Sequence, residues 1–241
     1  MLLRLRNSVE AMSRMVRQQE RIANNLANAN TVGFKRDRTF TQILNERIDA
    51  EGGPRSDKLV RQWADLAPGA VEQTGNPLDV ALHGEGFFEL SDEATGRTRF
   101  TRAGRFTLDA EGTLRDAFGY AVQGDGGPIQ LSVQNGGAVT IARDGSIRVG
   151  KEQVGKLRVV TFDDPGRLQR LDGAAFDAAG MEPIDVEAPD VRQGYLEQSN
   201  VDAIQAMTEM IEFYRLFESQ QKTIRTADEI LGRITRELGK F

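Results

Sequence analysis

Residues 23–36, ANNLANANTVGFKR, join two kinds of sequence. Before them, apolar residues recur at helical spacing; after them, the chain becomes rich in glycine and strand-like alternation. Asn24, Asn25, Asn28 and Asn30 crowd around Leu26, although asparagine is a mediocre helix former whose amide favours caps and turns. Several amides within two turns exceed what a helix end requires. Each offers two donors and an acceptor, and at a crowded junction between helices such groups fix register, as a buried asparagine does in a coiled coil. On this reading Asn24, Asn25 and Asn28 bond to neighbouring helices or to backbone, while Thr31, Val32 and Gly33 turn the chain outward. For Asn28 and Asn30 the plainer alternative is a capped helix end, with Gly33 near the C′ position.

Upstream, Leu2, Leu5, Val9, Met12, Val16, Ala23 and Leu26, with Gln19 as the polar step, alternate spacings of three and four. That is a heptad seam on one helix. Near the other end Met207, Met210, Tyr214, Phe217, Gln221, Ile224 and Leu231 keep the same rhythm, with Asp228 on the seam and Ile204 and Ile211 widening it. Ser199 and Asn200 are expected to cap this second helix, and Asp202 suits its first turn. Residues 1–38 carry a net charge of about +5 and residues 196–241 about −2, so the two ends attract. Each helix could also pack on the β-domain of its own chain. Ordering a residue costs about 1–2 kcal/mol, against about 2 kcal/mol for each large side chain fully buried. A narrow seam containing Gln19 is therefore marginal alone and gains most by packing among other chains.

Between the helices lie hairpin signals. In VTIARDGSIRV, Val139 and Ile141 face Ile147 and Val149 across Asp144–Gly145, and FTLDAEGTLRD reads the same way around Glu111–Gly112. KLRVVTF is a further short strand. The stretch from Gly33 to Gly75, with the turn-rich RIDAEGGPRSDKL, is expected to be an irregular connector carrying short strands at most. The fold class is α+β: paired N- and C-terminal helices plus a central all-β domain of short antiparallel strands. The expected divisions are a discontinuous helical assembly domain at 1–32 and 199–241, a connector at 33–75 and a β-domain at 76–198.

The chemistry-bearing residues do not converge. The chain of 241 residues has 31 Lys plus Arg against 36 Asp plus Glu, which gives no basic footprint for nucleic acid. It has no cysteine, so disulfide and thiolate chemistry are excluded. Charges interrupt every apolar stretch, so neither a membrane span nor a cleavable signal is expected. His83 is the only histidine and suits a hydrogen-bonded strand position better than a metal site or a general base. Gly84-Glu85-Gly86 lacks the third glycine and following helix of a dinucleotide loop; Phe87 and Phe88 continue as a strand. Asp109 and Glu111 resemble a calcium loop, but Leu114 and Tyr120 stand where glycine and glutamate belong. Asp163-Asp164-Pro165-Gly166 reads as a loop. Trp63 suits either an interface anchor or partial burial against its own domain. No cofactor, metal or catalytic residue is expected.

The residues also carry a resemblance. QQERIANNLANANTVGFKR (18–36) resembles the N-terminal motif of the bacterial flagellar axial proteins, the family that builds the basal-body rod and hook. LDVALHGEGFFEL (78–90) and RFTRAGRFTLDAEGTLRDAFGYAVQG (99–124) resemble their central signature, and GYLEQSNVDAIQAMTEMIEFYRLFESQQKTIRTADEIL (194–231) is similar to their C-terminal motif. Gly33, Phe34, Gly84, Gly86, Phe87, Phe88, Ser199, Asn200 and Val201 fall on these motifs. The resemblance implies a non-enzymatic structural subunit of the periplasmic rod, exported by the flagellar type III apparatus without a cleaved signal peptide. It implies a coiled-coil-like pair of terminal helices, packed in helical array with copies of itself and other rod proteins, with the β-domain outside. The assembly residues would be Leu5, Val9, Met12, Val16, Gln19, Ala23, Asn24, Asn25, Leu26 and Asn28 on the first helix. Met207, Met210, Tyr214, Phe217, Gln221, Ile224 and Leu231 would serve on the second. The compact length favours a rod over a hook protein, and FESQQKTIRTADEI is nearer the proximal than the distal rod type. A reading from a different class is an oligomeric cell-wall carbohydrate-binding β-domain, which exposed aromatics on one β face would mark; aromatics make up only 7% of the chain.

Overall fold

Asp144–Gly145 turns the strand Val139–Ile141 back onto Ser146–Val149, pairing Val139 with Val149 and Ile141 with Ile147. Gly145 takes the left-handed φ of +85° that such a turn favours in glycine, and the Asp144 carboxylate accepts from the Ser146 N–H and hydroxyl at 3.0 and 2.8 Å. The Glu111–Gly112 hairpin follows the same logic, with Thr107 opposite Arg115 and Leu108 opposite Leu114. Val159–Thr161, within KLRVVTF, is a strand as expected.

The computed structural model describes residues 2–43, 58–93, 95–131 and 138–238. The chain forms two compact units, one built from Met1–Ala27 and Asp202–Phe241, the other from Asn28–Val201. The first holds the helices α1 (Leu2–Ala27) and α2 (Ala203–Leu238). The second is antiparallel β, so the class is α+β.

Within 33–75 the strands β1 (Asp37–Ile43) and β2 (Lys58–Ala64) pair over seven residues, from Asp37 opposite Ala64 to Ile43 opposite Lys58. Most of RIDAEGGPRSDKL lies outside the described residues. β3 (Val71–Gln73) pairs with Tyr195–Glu197, and β4 (Val80–His83) pairs with Asp190–Gln193. The main sheet centres on β5 (Phe87–Ser91), flanked by β6 (Thr98–Thr101), Ala121–Gly124 and Val159–Thr161.

The core of this unit follows strand alternation. Phe88 and Leu90 point into one cluster with Phe106, Leu114, Val122, Ile147 and Leu157, whereas Phe87 joins Phe100, Phe162 and Phe176 in another. The second cluster is held by tilted and edge-on ring contacts, with centroids 4.9 Å apart for Phe100–Phe162 and 5.8 Å for Phe87–Phe176. Gly86, at φ +125°, lies where a Cβ would come within 2.8 Å of Val159, so a side chain there would separate β5 from its neighbour.

Candidate functional site

The helical unit leaves much apolar surface in water. α1 and α2 lie against each other, and the Gln19 amide donates to the Tyr214 hydroxyl at 3.1 Å. On α1 the covered line runs through Met12, Met15, Gln19, Ile22 and Leu26, while Val16 and Ala23 stay exposed. Both lines obey a three-four rhythm, so periodicity alone could not choose between them. On α2 the covered line is Ala206, Met210, Phe213, Phe217 and Ile224, with Phe213 stacked on Phe217 at 6.4 Å. Gln221 is half-buried.

Phe213 was hidden from sequence reading because the adjacent Tyr214 keeps the rhythm equally well. A second line on α2, Ile204, Met207, Ile211 and Tyr214, is half or more exposed, reaching 78% at Ile204. Its spacing of three, four and three is that of a helix-packing seam. The side chains of Leu5, Val9 and Leu231 lie outside the described residues.

Of the four asparagines at positions 24, 25, 28 and 30, Asn25 is buried, and Asn24 and Asn30 are exposed. Asn28 is half-buried, and its side-chain oxygen accepts from the Thr31 hydroxyl at 3.1 Å. A turn follows, with the Phe34 N–H donating to the Thr31 carbonyl. Gly33 has φ +68°, and a Cβ there would meet the Ala103 backbone nitrogen at 2.3 Å. It serves both as a turn and as a close contact with backbone.

The terminal motifs meet at a buried polar hub that sequence reading missed. Lys35 is fully buried; its ammonium donates to Glu197 Oε1 at 2.5 Å and to the Ala67 carbonyl at 2.8 Å. Glu197 Oε1 also accepts from the Gly69 N–H at 2.9 Å, and the Arg102 guanidinium lies 3.5 Å from Oε2. Two buried cations therefore share one carboxylate. Burial pushes Lys35 below the ordinary lysine range although Glu197 opposes the shift, and burial lowers Arg102 as well.

Arg170 completes the frame. Its guanidinium lies 4.3 Å from the Phe34 ring centre, pairs with Asp37 at 2.9 Å and donates to the Lys35 carbonyl. Strand alternation gave no warning of the hub, because Leu196 and Glu197 are both buried although neighbours on a strand face opposite ways.

The expectation that Ser199 or Asn200 caps α2 is corrected. The cap is Asp202, whose Oδ1 accepts from the N–H groups of Ile204 and Gln205 at 2.9 and 3.0 Å. Asn200 instead accepts from the Arg36 N–H at 2.7 Å and donates to the carbonyls of Asp65 and Ala67. The Ser199 hydroxyl accepts from the N–H of the buried Val201. A side chain that reaches residues 36, 65 and 67 has no freedom left to cap a helix.

The remaining candidates have structural surroundings. His83 lies at the end of β4 with Nδ1 3.2 Å from Asp190. Gly84, at φ +111°, presents its carbonyl to Arg102 at 2.7 Å. The Asp109 carboxylate is engaged by Arg115 and by the N–H groups of Glu111 and Thr113, which hold it below the usual carboxylate range. Asp163 and Asp164 are exposed before a 3-10 turn at Pro165–Arg167. Among the described residues no group of three His, Asp or Glu is placed to hold a metal, and no helix is long and apolar enough to cross a membrane.

Three family models match the chain in order. That of the flagella basal body rod protein covers residues 5–35, that of the flagellar hook protein FlgE/F/G D1 domain 81–149, and that of the flagellar basal body rod FlgEFG protein C-terminal 192–237. The flagellar basal-body rod protein FlgG of Agrobacterium fabrum is 34% identical over 249 aligned positions, spanning 91% of this chain and 93% of that protein. The rod protein FlgF of Caulobacter vibrioides is 32% identical over 231 positions, spanning 93% of each. FlgF of Rhizobium meliloti is 35% identical over 225 positions, spanning 90% of each.

Proposed function

This chain belongs to the flagellar basal-body rod protein family, whose members are structural subunits, and on that premise we propose that it is a rod subunit of the FlgF type that assembles helically through its terminal helices. The observation that carries the assembly reading is the exposed seam of Ile204, Met207, Ile211 and Tyr214, apolar surface at packing spacing on a long helix. In this reading α1 and α2 pair in the manner of a coiled coil and the uncovered seam meets a neighbouring subunit. The contact is heterologous, so it propagates along a filament instead of closing, and the filament transmits torque. Asn24, Asn25 and Asn28 hold the register of that packing.

The FlgF type is supported by alignment economy. The FlgG relative of Agrobacterium fabrum needs 249 aligned positions to span slightly less of this chain than the FlgF relative of Caulobacter vibrioides spans in 231. The FlgG relative therefore carries more residues with no counterpart here. The subunit is non-enzymatic, acts in the periplasm and reaches it through the flagellar export apparatus with its N-terminus uncleaved; its partners are its own copies and the other rod proteins.

The test is light scattering of the purified full chain against Met207→Glu/Ile211→Lys, a pair of good helix formers on the exposed seam. The native chain should polymerise or co-assemble with other rod proteins, and the double variant should not. Undiminished assembly by the variant would refute the role of this seam.

A further inference from the structure

Apart from the helices, the β unit contains a cleft of about 590 Å3, within the roughly 300–1,000 Å3 range of small-molecule sites. Its wall joins Asp37 on β1 and Trp63 on β2 to Arg167, Gln169 and Arg170, and it is more polar than apolar. From these residues we propose that the cleft binds a saccharide bearing a carboxylate.

Trp63 supplies the platform. Its side chain is 37% exposed in the cleft wall, and an indole face suits the C–H face of a pyranose while its N–H remains available to a ring substituent. The polar groups decide the charge. Asp37 and Arg170 neutralise each other at 2.9 Å, and Arg170 is spent further on the Lys35 carbonyl. Arg167 and Gln169 are exposed, and among the described residues their side chains make no hydrogen bond or ion pair. The available groups are thus an unpaired guanidinium, an amide and an indole N–H, an excess of donors that matches hydroxyl and carboxylate oxygens.

Ala179, in the cleft wall at φ +51°, and Gly180 at φ +81° are the central residues of a turn closed by the Met181 N–H on the Ala178 carbonyl, and the Asp177 carboxylate accepts from the Ala179 N–H at 2.7 Å, so this part of the wall is fixed by its own hydrogen bonds. Other ligands fit less well. A protein segment anchored by apolar side chains would need an apolar pocket, and a phosphate would need more than one free cation or the N-terminus of a full helix.

Trp63 is the only tryptophan in the chain, so its fluorescence reports on this cleft alone. The experiment titrates the full-length protein with a uronate disaccharide, with a disaccharide containing N-acetylmuramic acid and with neutral N-acetylglucosamine disaccharide. A saturable change with either acidic sugar, at least about tenfold weaker with the neutral one, supports the proposal, and the tighter acidic ligand identifies the source of the carboxylate. Arg167→Gln should weaken that binding about tenfold, the loss of one charge-assisted contact, with an unchanged circular dichroism spectrum. No saturable change, equal binding of the neutral sugar or indifference to Arg167→Gln would overturn it. A fluorescence change that depends on protein concentration without sugar would overturn it in favour of a second copy in the cleft. The proposal is independent of the rod assignment, because the variants at Met207 and Ile211 test the helices and leave the cleft intact.

Discussion

The two units of this chain spend their apolar residues differently. In the β unit Phe88, Leu90, Val122 and Ile147 are completely buried, and even its charged centre is closed, with Lys35 and Glu197 out of contact with water. In the helical unit Ile204, Met207, Ile211 and Leu216 each leave more than half of their surface exposed. The contrast is one of geometry. A folded sheet with its hairpins can wrap a core, whereas two long helices have too little mutual surface to cover both faces. The β unit encloses its core within itself, and on the proposed function the exposed seam of the helical unit is what assembly would cover.

Breaking the closed charge centre should have the largest effect. Glu197→Ala strands Lys35 and Arg102 without their counter-ion, and the β unit should lose about 3–5 kcal/mol in urea unfolding of the full chain. Replacing the whole set, Lys35→Met and Arg102→Met with Glu197→Leu, should recover much of that loss, because no buried charge is then left without a counter-ion. If both variants were equally destabilised, packing at these positions rather than charge would hold the unit together.

Gly33→Ala comes next, at about 2 kcal/mol or more, since a Cβ would lie 2.3 Å from backbone at a positive φ. A loss within about 0.5 kcal/mol would mean that the 31–34 turn readjusts freely. Asp202→Ala removes the cap of α2 and should cost about 1 kcal/mol of helix stability, seen by circular dichroism as a lower helix melting temperature with the β transition unmoved.

The pH dependence is a smaller effect. Burial lowers Lys35, so between that lowered value and the ordinary lysine value near about 10.4 the unfolded chain binds more protons than the folded one. The stability tied to this group therefore rises with pH through that window and is lost as pH falls through the folded value. Urea midpoints from neutral to alkaline pH should rise less in Lys35→Met than in the native chain; identical slopes would remove Lys35 as the cause. Smallest of all, Met207→Glu/Ile211→Lys should change the stability of the isolated chain by no more than about 0.5 kcal/mol, despite the loss of assembly, because these side chains are already in water.

The hairpins at Asp144–Gly145 and Glu111–Gly112 were legible because turn chemistry and alternation act over a few residues. The helices were legible for the same reason, from a seam spacing of three and four. Which of two adjacent seams is covered was not legible: Val16 and Met15, or Tyr214 and Phe213, satisfy the same rhythm, and only the neighbouring element chooses. The α2 cap was misread because Ser199, Asn200 and Asp202 all suit a cap by type, and the competing bonds of Asn200 to residues 36, 65 and 67 exist only in the folded chain.

By itself the sequence determined the α+β class, the two terminal helices, the main turns and the family, all of which rest on local pattern or on ordered motifs. The tertiary structure decided that Lys35 and Glu197, 162 residues apart, form one buried pair, and that Trp63, Arg167 and Ala179 share one cleft. The physical reason is that burial of a charge and closure of a cavity are properties of packed surfaces. No window along the chain contains both sides of such a contact.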